Sequence, residues 1–193
     1  SIAKAFVAHP QIELSLLVNA YDDGLSTGRL RRFIPGLLGP SDIRKNIAHL
    51  IPESDEAGNA LKRLLEYRLP ETLDAENAKR ILSGLYNEKF DRESGSLEPQ
   101  FWKDLQSVTY KQARYIESQV VAFLDYCQQE IKKGKAFEFG DCPLGNIIFS
   151  GAFLNSGNDF NRTITDLESE FKPAGGVLNV TQGENYVLVG LKS

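Results

Sequence analysis

Hydrophobic positions along this chain recur at two periods, and the places where the period changes mark the elements. Residues 1–9 read as the end of a helix. Ile12–Val18 (IELSLLV) is a short apolar run with few polar breaks, which predicts a strand buried on both faces, as parallel sheets require. It stops in NAYDDGLSTG, which is loop chemistry. Arg29–Phe33 reads as one helical turn, broken by Pro35 and Gly36. Ser41 or Asp42 is placed to cap the next helix, since a short side-chain oxygen satisfies the free amides at a helix start. Ile43, Ile47 and Leu50 then recur at helical spacing. Leu61, Leu64 and Leu65 mark a helix ending near Pro70, and Asp74 or Glu76 opens another that carries Ile81, Leu82 and Leu85.

Residues 91–100 (DRESGSLEPQ) form a polar connector. The longest helix is predicted over Tyr110–Lys133, with Ile116, Val120, Phe123, Leu124, Cys127 and Ile131 as its apolar stripe. Lys132, Lys133 and Lys135 suit its C-terminal dipole, and Gly134 suits its end. The run Ile147–Leu154 reads as a buried helix, with a strand as the alternative. Phe160, Ile164, Leu167 and Phe171 define one more amphipathic helix. Two β-branched runs, Gly176–Thr181 and Tyr186–Leu191, joined by a short polar turn, predict a hairpin. A strand, a series of helices and late strands together predict an α/β fold.

Composition narrows the class. The chain has 193 residues, 41% of them hydrophobic and 25% charged, which suits one domain with a sizeable core. A net charge of -4 argues against DNA or RNA as the main partner. No apolar run approaches a membrane span and no signal peptide is visible, so the expected setting is cytoplasmic, without a membrane partner. Cys127 and Cys142 are too few for a disulfide framework or a zinc cage and are expected to be free thiols. His9 and His49 are the only histidines. The chain contains no methionine, begins in a helix-like segment and stops just after a strand-like run, which leads us to expect missing residues at both ends.

Three loops can carry chemistry. In the first, Asn19, Asp22 and Asp23 follow the predicted strand directly, where α/β sheets place their ligands. Those side chains can bond a sugar, a base or a metal-bound water. Gly24 and Gly28 permit close backbone approach, Ser26 and Thr27 can donate to phosphate oxygens, and Arg29 with Arg32 at helical spacing can form a phosphate fork. A capped turn accounts for the same residues. In the second loop, Gly39–Arg44, Asp42 can order the first loop or bind a cation and Arg44 can meet an anion, although an ordinary helix cap is the stronger reading. In the third, Pro143–Asn146 at a helix start can attract phosphate, with Gly145 allowing close approach and Asn146 donating and accepting; a tight packing turn fits equally well. Cys142 lacks an evident histidine base and reads as a packed thiol, while His49 and Trp102 read as core or boundary residues.

The segments VNAYDDGLSTGRLRR, LGPSDIRKNIAHL and LEYRLP, followed by PLGNIIFSGAFLNSGNDFNRTI and GGVLNVT, resemble the 2-phospho-L-lactate transferase / gluconeogenesis factor family in their joint order. The resemblance covers residues 1–70 and 141–193. It implies a Rossmann-like, mostly parallel sheet with flanking helices and a ligand at its switch point. The stretch 71–140 is then a helical insertion over the site or at a subunit contact of a homo-oligomer. The DDG-x-S-x-GRLR and DIR pattern resembles the gluconeogenesis factor branch, which implies a nucleotide-linked ligand of the UDP-sugar type. The alternative is a transferase that moves a phospholactyl group from a guanylyl donor to a deazaflavin acceptor. In that case Asp22 and Asp23 are the expected catalytic residues, and Asp23 and Asp42 the expected ligands of Mg²⁺. The transferases carry an aspartate-rich segment where this chain has GRLRRFIPGLLGPSDIR, and the family's two glycine-rich phosphate loops fall outside the sequence.

Overall fold

The computed structural model describes residues 2–7, 9, 11–85 and 97–184. Its elements run α1 (Ile2–Val7), β1 (Ser15–Val18), α2 (Leu25–Phe33), α3 (Pro40–Leu50), α4 (Glu56–Glu66), α5 (Ala75–Ser83), α6 (Pro99–Ser107), α7 (Tyr110–Ile131), α8 (Leu144–Asn155), α9 (Phe160–Phe171) and β2 (Gly176–Asn179). The class is α/β with helices dominating. Among the described residues the sheet has two strands, β1 and β2, which are parallel and in register with Val18 opposite Asn179. Residues Tyr186–Leu191, expected to complete a hairpin, lie outside the described residues.

The strand over Ile12–Val18 is shorter than expected, and it is not buried on both faces. Val18 and Val177 are buried where α3 and α9 pack on the sheet, whereas Leu17 is 70% and Leu178 50% exposed on the opposite face. Helix α2 is longer than the single turn expected, because Gly24 serves as its N-cap. Helix α3 begins at Pro40 with Gly39 as N-cap, and neither Ser41 nor Asp42 caps it. Proline at the first helical position lacks only an N–H that would have no partner there anyway. Of Asp74 and Glu76, Asp74 caps α5, accepting from the Asn77 N–H at 2.8 Å; the structure adds caps at Asp159, which accepts from the Arg162 N–H at 2.9 Å, and at Thr109, which with Gln112 forms a reciprocal capping box at α7.

Helix α8 settles the ambiguity over Ile147–Leu154. Every residue from Leu144 to Phe153 is buried, so the helix has no polar face. It packs against α3, α4, α7 and α9. Its closest crossing is at Gly151, where a Cβ atom would lie 1.8 Å from the Gln119 carbonyl of α7. Phe33, Phe123, Phe137 and Phe139 join α2, α7 and the segment before α8 through edge-on and, for Phe33–Phe137, tilted rings with centroids 5.1–6.4 Å apart. Each such ring contributes about 2–3 kcal/mol by burial. No described helix is long and apolar enough to cross a membrane.

The Val177 N–H at the edge of β2 donates to the Glu168 carboxylate of α9. Desolvation holds the Glu168 carboxyl above its ordinary value, and this hydrogen bond partly offsets that rise. A carboxyl with a raised folded-state pKa binds its proton more tightly in the folded chain. Its contribution to stability is therefore present below the unfolded pKa and lost as pH rises through the folded pKa. Urea unfolding across the acid range should show this decline in the wild type and a flatter profile in Glu168→Gln, which keeps an acceptor without the charge. Identical slopes for the two proteins would contradict the assignment.

Candidate functional site

The loop after β1 is ordered by its own side chains. Asn19 Oδ1 accepts from the Tyr21 N–H at 2.9 Å and Asp22 Oδ1 from the Gly24 N–H at 3.1 Å. Two glycines let the loop lie against its neighbours. A Cβ on Gly28 would sit 2.4 Å from the Asp23 carbonyl, and one on Gly39 2.7 Å from the Asp22 carbonyl. The Gly39 N–H also donates to the Ala20 carbonyl at 2.7 Å. Arg31, which sequence reading passed over, donates to the Tyr21 and Asp22 carbonyls at 3.2 and 3.1 Å and lies 3.6 Å from the Asp23 carboxylate. Only the extension of α2 back to Leu25 would have shown that Arg31 turns toward this loop. Leu25 itself holds φ at 38° while 79% exposed, an uncommon backbone state for a bulky residue.

Behind the loop, one residue from α2, two from α3 and one from α8 meet in the interior. Thr27 and Ser41 share a hydroxyl–hydroxyl hydrogen bond, the Asn146 amide donates to Ser41 Oγ at 3.0 Å, and Arg44 Nε donates to Asn146 Oδ1 at 3.2 Å. All four are buried, with Arg44 no more than 6% exposed. Burial pushes the Arg44 guanidinium below its ordinary value, and nearby Glu66 opposes that shift. Gly145 is required here: a Cβ would lie 2.4 Å from the Leu65 carbonyl and 2.7 Å from Arg44 Cδ. The Leu144 N–H at the start of α8 donates to the Tyr67 carbonyl at 2.8 Å. Gly145 and Asn146 are thus enclosed by protein and join helices to one another.

Arg29 and Arg68 fasten the segment leading into α8. Arg29 donates to the Glu138 and Gly140 carbonyls at 3.0 and 2.7 Å, and Arg68 donates to the Asp141 carbonyl and lies 2.9 Å from its carboxylate. Asp141 holds φ at 55°. Beside it, desolvation pushes the Cys142 thiol up to about 12 despite Arg29, Arg44 and Arg68 nearby, and burial does the same to Cys127. Ser26 is buried near the start of α2. Arg32 is exposed, 4.0 Å from Asp23, and Asp42 lies 3.3 Å from Lys45. Among the described residues no three His, Cys, Asp or Glu side chains gather in a way that would hold a metal ion. His49 is half-buried and Trp102 is buried in α6.

Asn146 links both ends of the buried network, so Asn146→Ala should lower the unfolding free energy by about 3 kcal/mol in urea titration, since it strands a hydroxyl and a buried guanidinium. Combined with Ser41→Ala the loss should be less than additive; a shift near zero would show the network to be incidental. The two thiols, protonated and enclosed, should resist an aromatic disulfide reagent at pH 8 in the native chain and both react once it is unfolded in denaturant. Rapid reaction in the native chain would contradict the burial of Cys127 and Cys142.

No curated protein and no solved structure matches the chain. A family model described as 2-phospho-L-lactate transferase CofD matches residues 3–192, nearly its whole length. The order of the three loops and this match agree, and the chain belongs to the 2-phospho-L-lactate transferase CofD family.

Proposed function

We propose that the chain binds a nucleotide-linked small molecule beyond the carboxyl ends of β1 and β2, in the manner of a Rossmann-like fold, and that its ligand is of the nucleotide-sugar type. The carrying observation is the buried Thr27–Ser41–Asn146–Arg44 network, which draws α2, α3 and α8 together behind the β1 loop while Asn19, Asp23 and Gly24 stay exposed. The end of β2 lies beside this loop, since the Tyr21 hydroxyl donates to the Glu184 carbonyl at 3.2 Å. In this reading Asn19 and Asp22 bond hydroxyl groups of the sugar, Gly24 gives the ligand access to backbone while the buried Gly28 lets the loop close against α2, and Arg31 fixes the loop from behind.

The family description favours a second reading, a phospholactyl transferase. There an acceptor hydroxyl attacks the phosphorus bearing the lactyl group, the bond to the guanylyl leaving group breaks, and the hydroxyl proton passes to Asp22 or Asp23. Rate would come from positioning and charge complementarity. The carboxylates expected to hold Mg²⁺ are turned to the protein's own cations, Asp23 to Arg31 and Arg32 and Asp42 to Lys45, a poor fit to a metal, and this scheme uses none.

Calorimetry with UDP-sugars on the chain should give saturable heat that Asp23→Ala and Asn19→Ala weaken. No heat with any nucleotide-sugar at millimolar concentration would overturn the first reading. Mass-shifted deazaflavin product from a guanylyl-phospholactate donor would establish the second.

A further inference from the structure

Two open cavities adjoin where the stretch 71–140 leaves and rejoins the rest of the chain. One, of 520 Å³, lies between residues 71–75 and 136–141; the other, of 410 Å³, is lined by Arg29, Arg32, Phe33 and residues 135–138. They share Arg29, Ala136, Phe137 and Glu138. The backbone at this junction is closed tightly, since a Cβ on Gly140 would meet the Glu71 carbonyl at 2.4 Å. The rings of Phe33 and Phe137, 5.2 Å apart, give the smaller groove a rigid apolar floor.

The charge around that groove is unbalanced. Asp23 lies 3.6 Å from Arg31 and 4.0 Å from Arg32, Glu130 lies 2.6 Å from Lys133 and 3.8 Å from Lys135, and Glu138 lies 3.7 Å from Arg29. Among the residues lining that groove, Arg29, Arg32 and Lys135 are cations and Glu138 is a carboxylate, in a chain whose net charge is -4. Arg32 and Lys135 hold the longer of the two distances to each shared carboxylate, and both side chains are about two-thirds exposed, at 67% and 64%. Arg29 is occupied by the Glu138 and Gly140 carbonyls. A positive excess over an apolar floor, open to solvent on one side, suits a multiply charged anion.

We propose that this groove is a phosphate subsite, in which Lys135, from the end of the 71–140 stretch, and Arg32, from α2, together hold a phosphoryl or pyrophosphoryl group. The inference deepens the nucleotide-linked reading and rests on it for the rest of the ligand. It pairs Arg32 with Lys135, where the sequence had paired Arg32 with Arg29. The stretch 71–140 thereby contributes a ligand contact of its own.

Inorganic pyrophosphate is the probe, because it carries the phosphate chemistry without base or sugar. Titration into the chain, followed by calorimetry and by backbone amide shifts, should show salt-sensitive binding with shifts concentrated at residues 135–138. Arg32→Glu and Lys135→Glu should each weaken binding at least about tenfold, as expected for loss of a charge-assisted phosphate contact. Arg162→Glu, the same change in charge on α9 at a residue that pairs with Asp166 and lines neither cavity, should leave it within about twofold. No binding at millimolar pyrophosphate, equal weakening by Arg162→Glu, or shifts confined to other surfaces would overturn the proposal. Nucleotide-sugar binding that survives Lys135→Glu unchanged would remove the groove and keep the nucleotide reading. Pyrophosphate binding without nucleotide-sugar binding would keep the groove and remove that reading.

Discussion

A guanidinium, a carboxamide and two hydroxyls have been taken out of water between α2, α3 and α8, and that step is favourable only when all four find one another. Each group alone would carry a desolvation cost of about 1–3 kcal/mol, and the charged one more. Together, Thr27, Ser41, Asn146 and Arg44 satisfy one another along a single chain of bonds. The geometry is consequently strict. A helix that slid by one turn would leave a buried donor without an acceptor, so the network sets the relative positions of three helices more sharply than apolar packing can.

Much of the surrounding structure follows from that constraint. Gly145 has to lack a side chain because Arg44 and the Leu65 carbonyl occupy the space beside it, and Gly151 has to lack one because α7 crosses α8 there. Pro40 starts α3 without a side-chain cap, which leaves Ser41 available to the network. The segment before α8 is tied down from outside by Arg29 and Arg68, which hold the carbonyls on either side of the left-handed Asp141. The result is a rigid base beneath the loop at the carboxyl end of β1.

The arginines divide into interior and surface roles that their spacing alone does not separate. Arg44 is internal, Arg31 braces the β1 loop, Arg29 spans to the segment before α8, and Arg32 stays in solvent. The division of the arginines decides which of them has a guanidinium facing outward, and Lys135 is exposed beside Arg32 at the same groove.

The amphipathic helices were legible in the residues themselves. The stripe from Ile116 to Cys127, the Phe160–Phe171 spacing and the Asp74 cap are local patterns, and periodicity and capping act over a few residues, whereas Ile131, expected on the same stripe, is 53% exposed. The order of the loop motifs identified the family for the same reason, since it is a property of the string. Partners were not legible. Ser41 read as a cap and lies in the network, Asn146 read equally as a ligand contact or part of a packing turn and bonds Ser41 and Arg44, and Leu17 read as buried yet is open to solvent. The sequence by itself determined which segments become helices and which loops can carry polar chemistry. Only the tertiary structure decided which polar groups face one another and which face water, because burial and hydrogen-bond satisfaction depend on residues as far apart as Arg44 and Asn146 meeting in space.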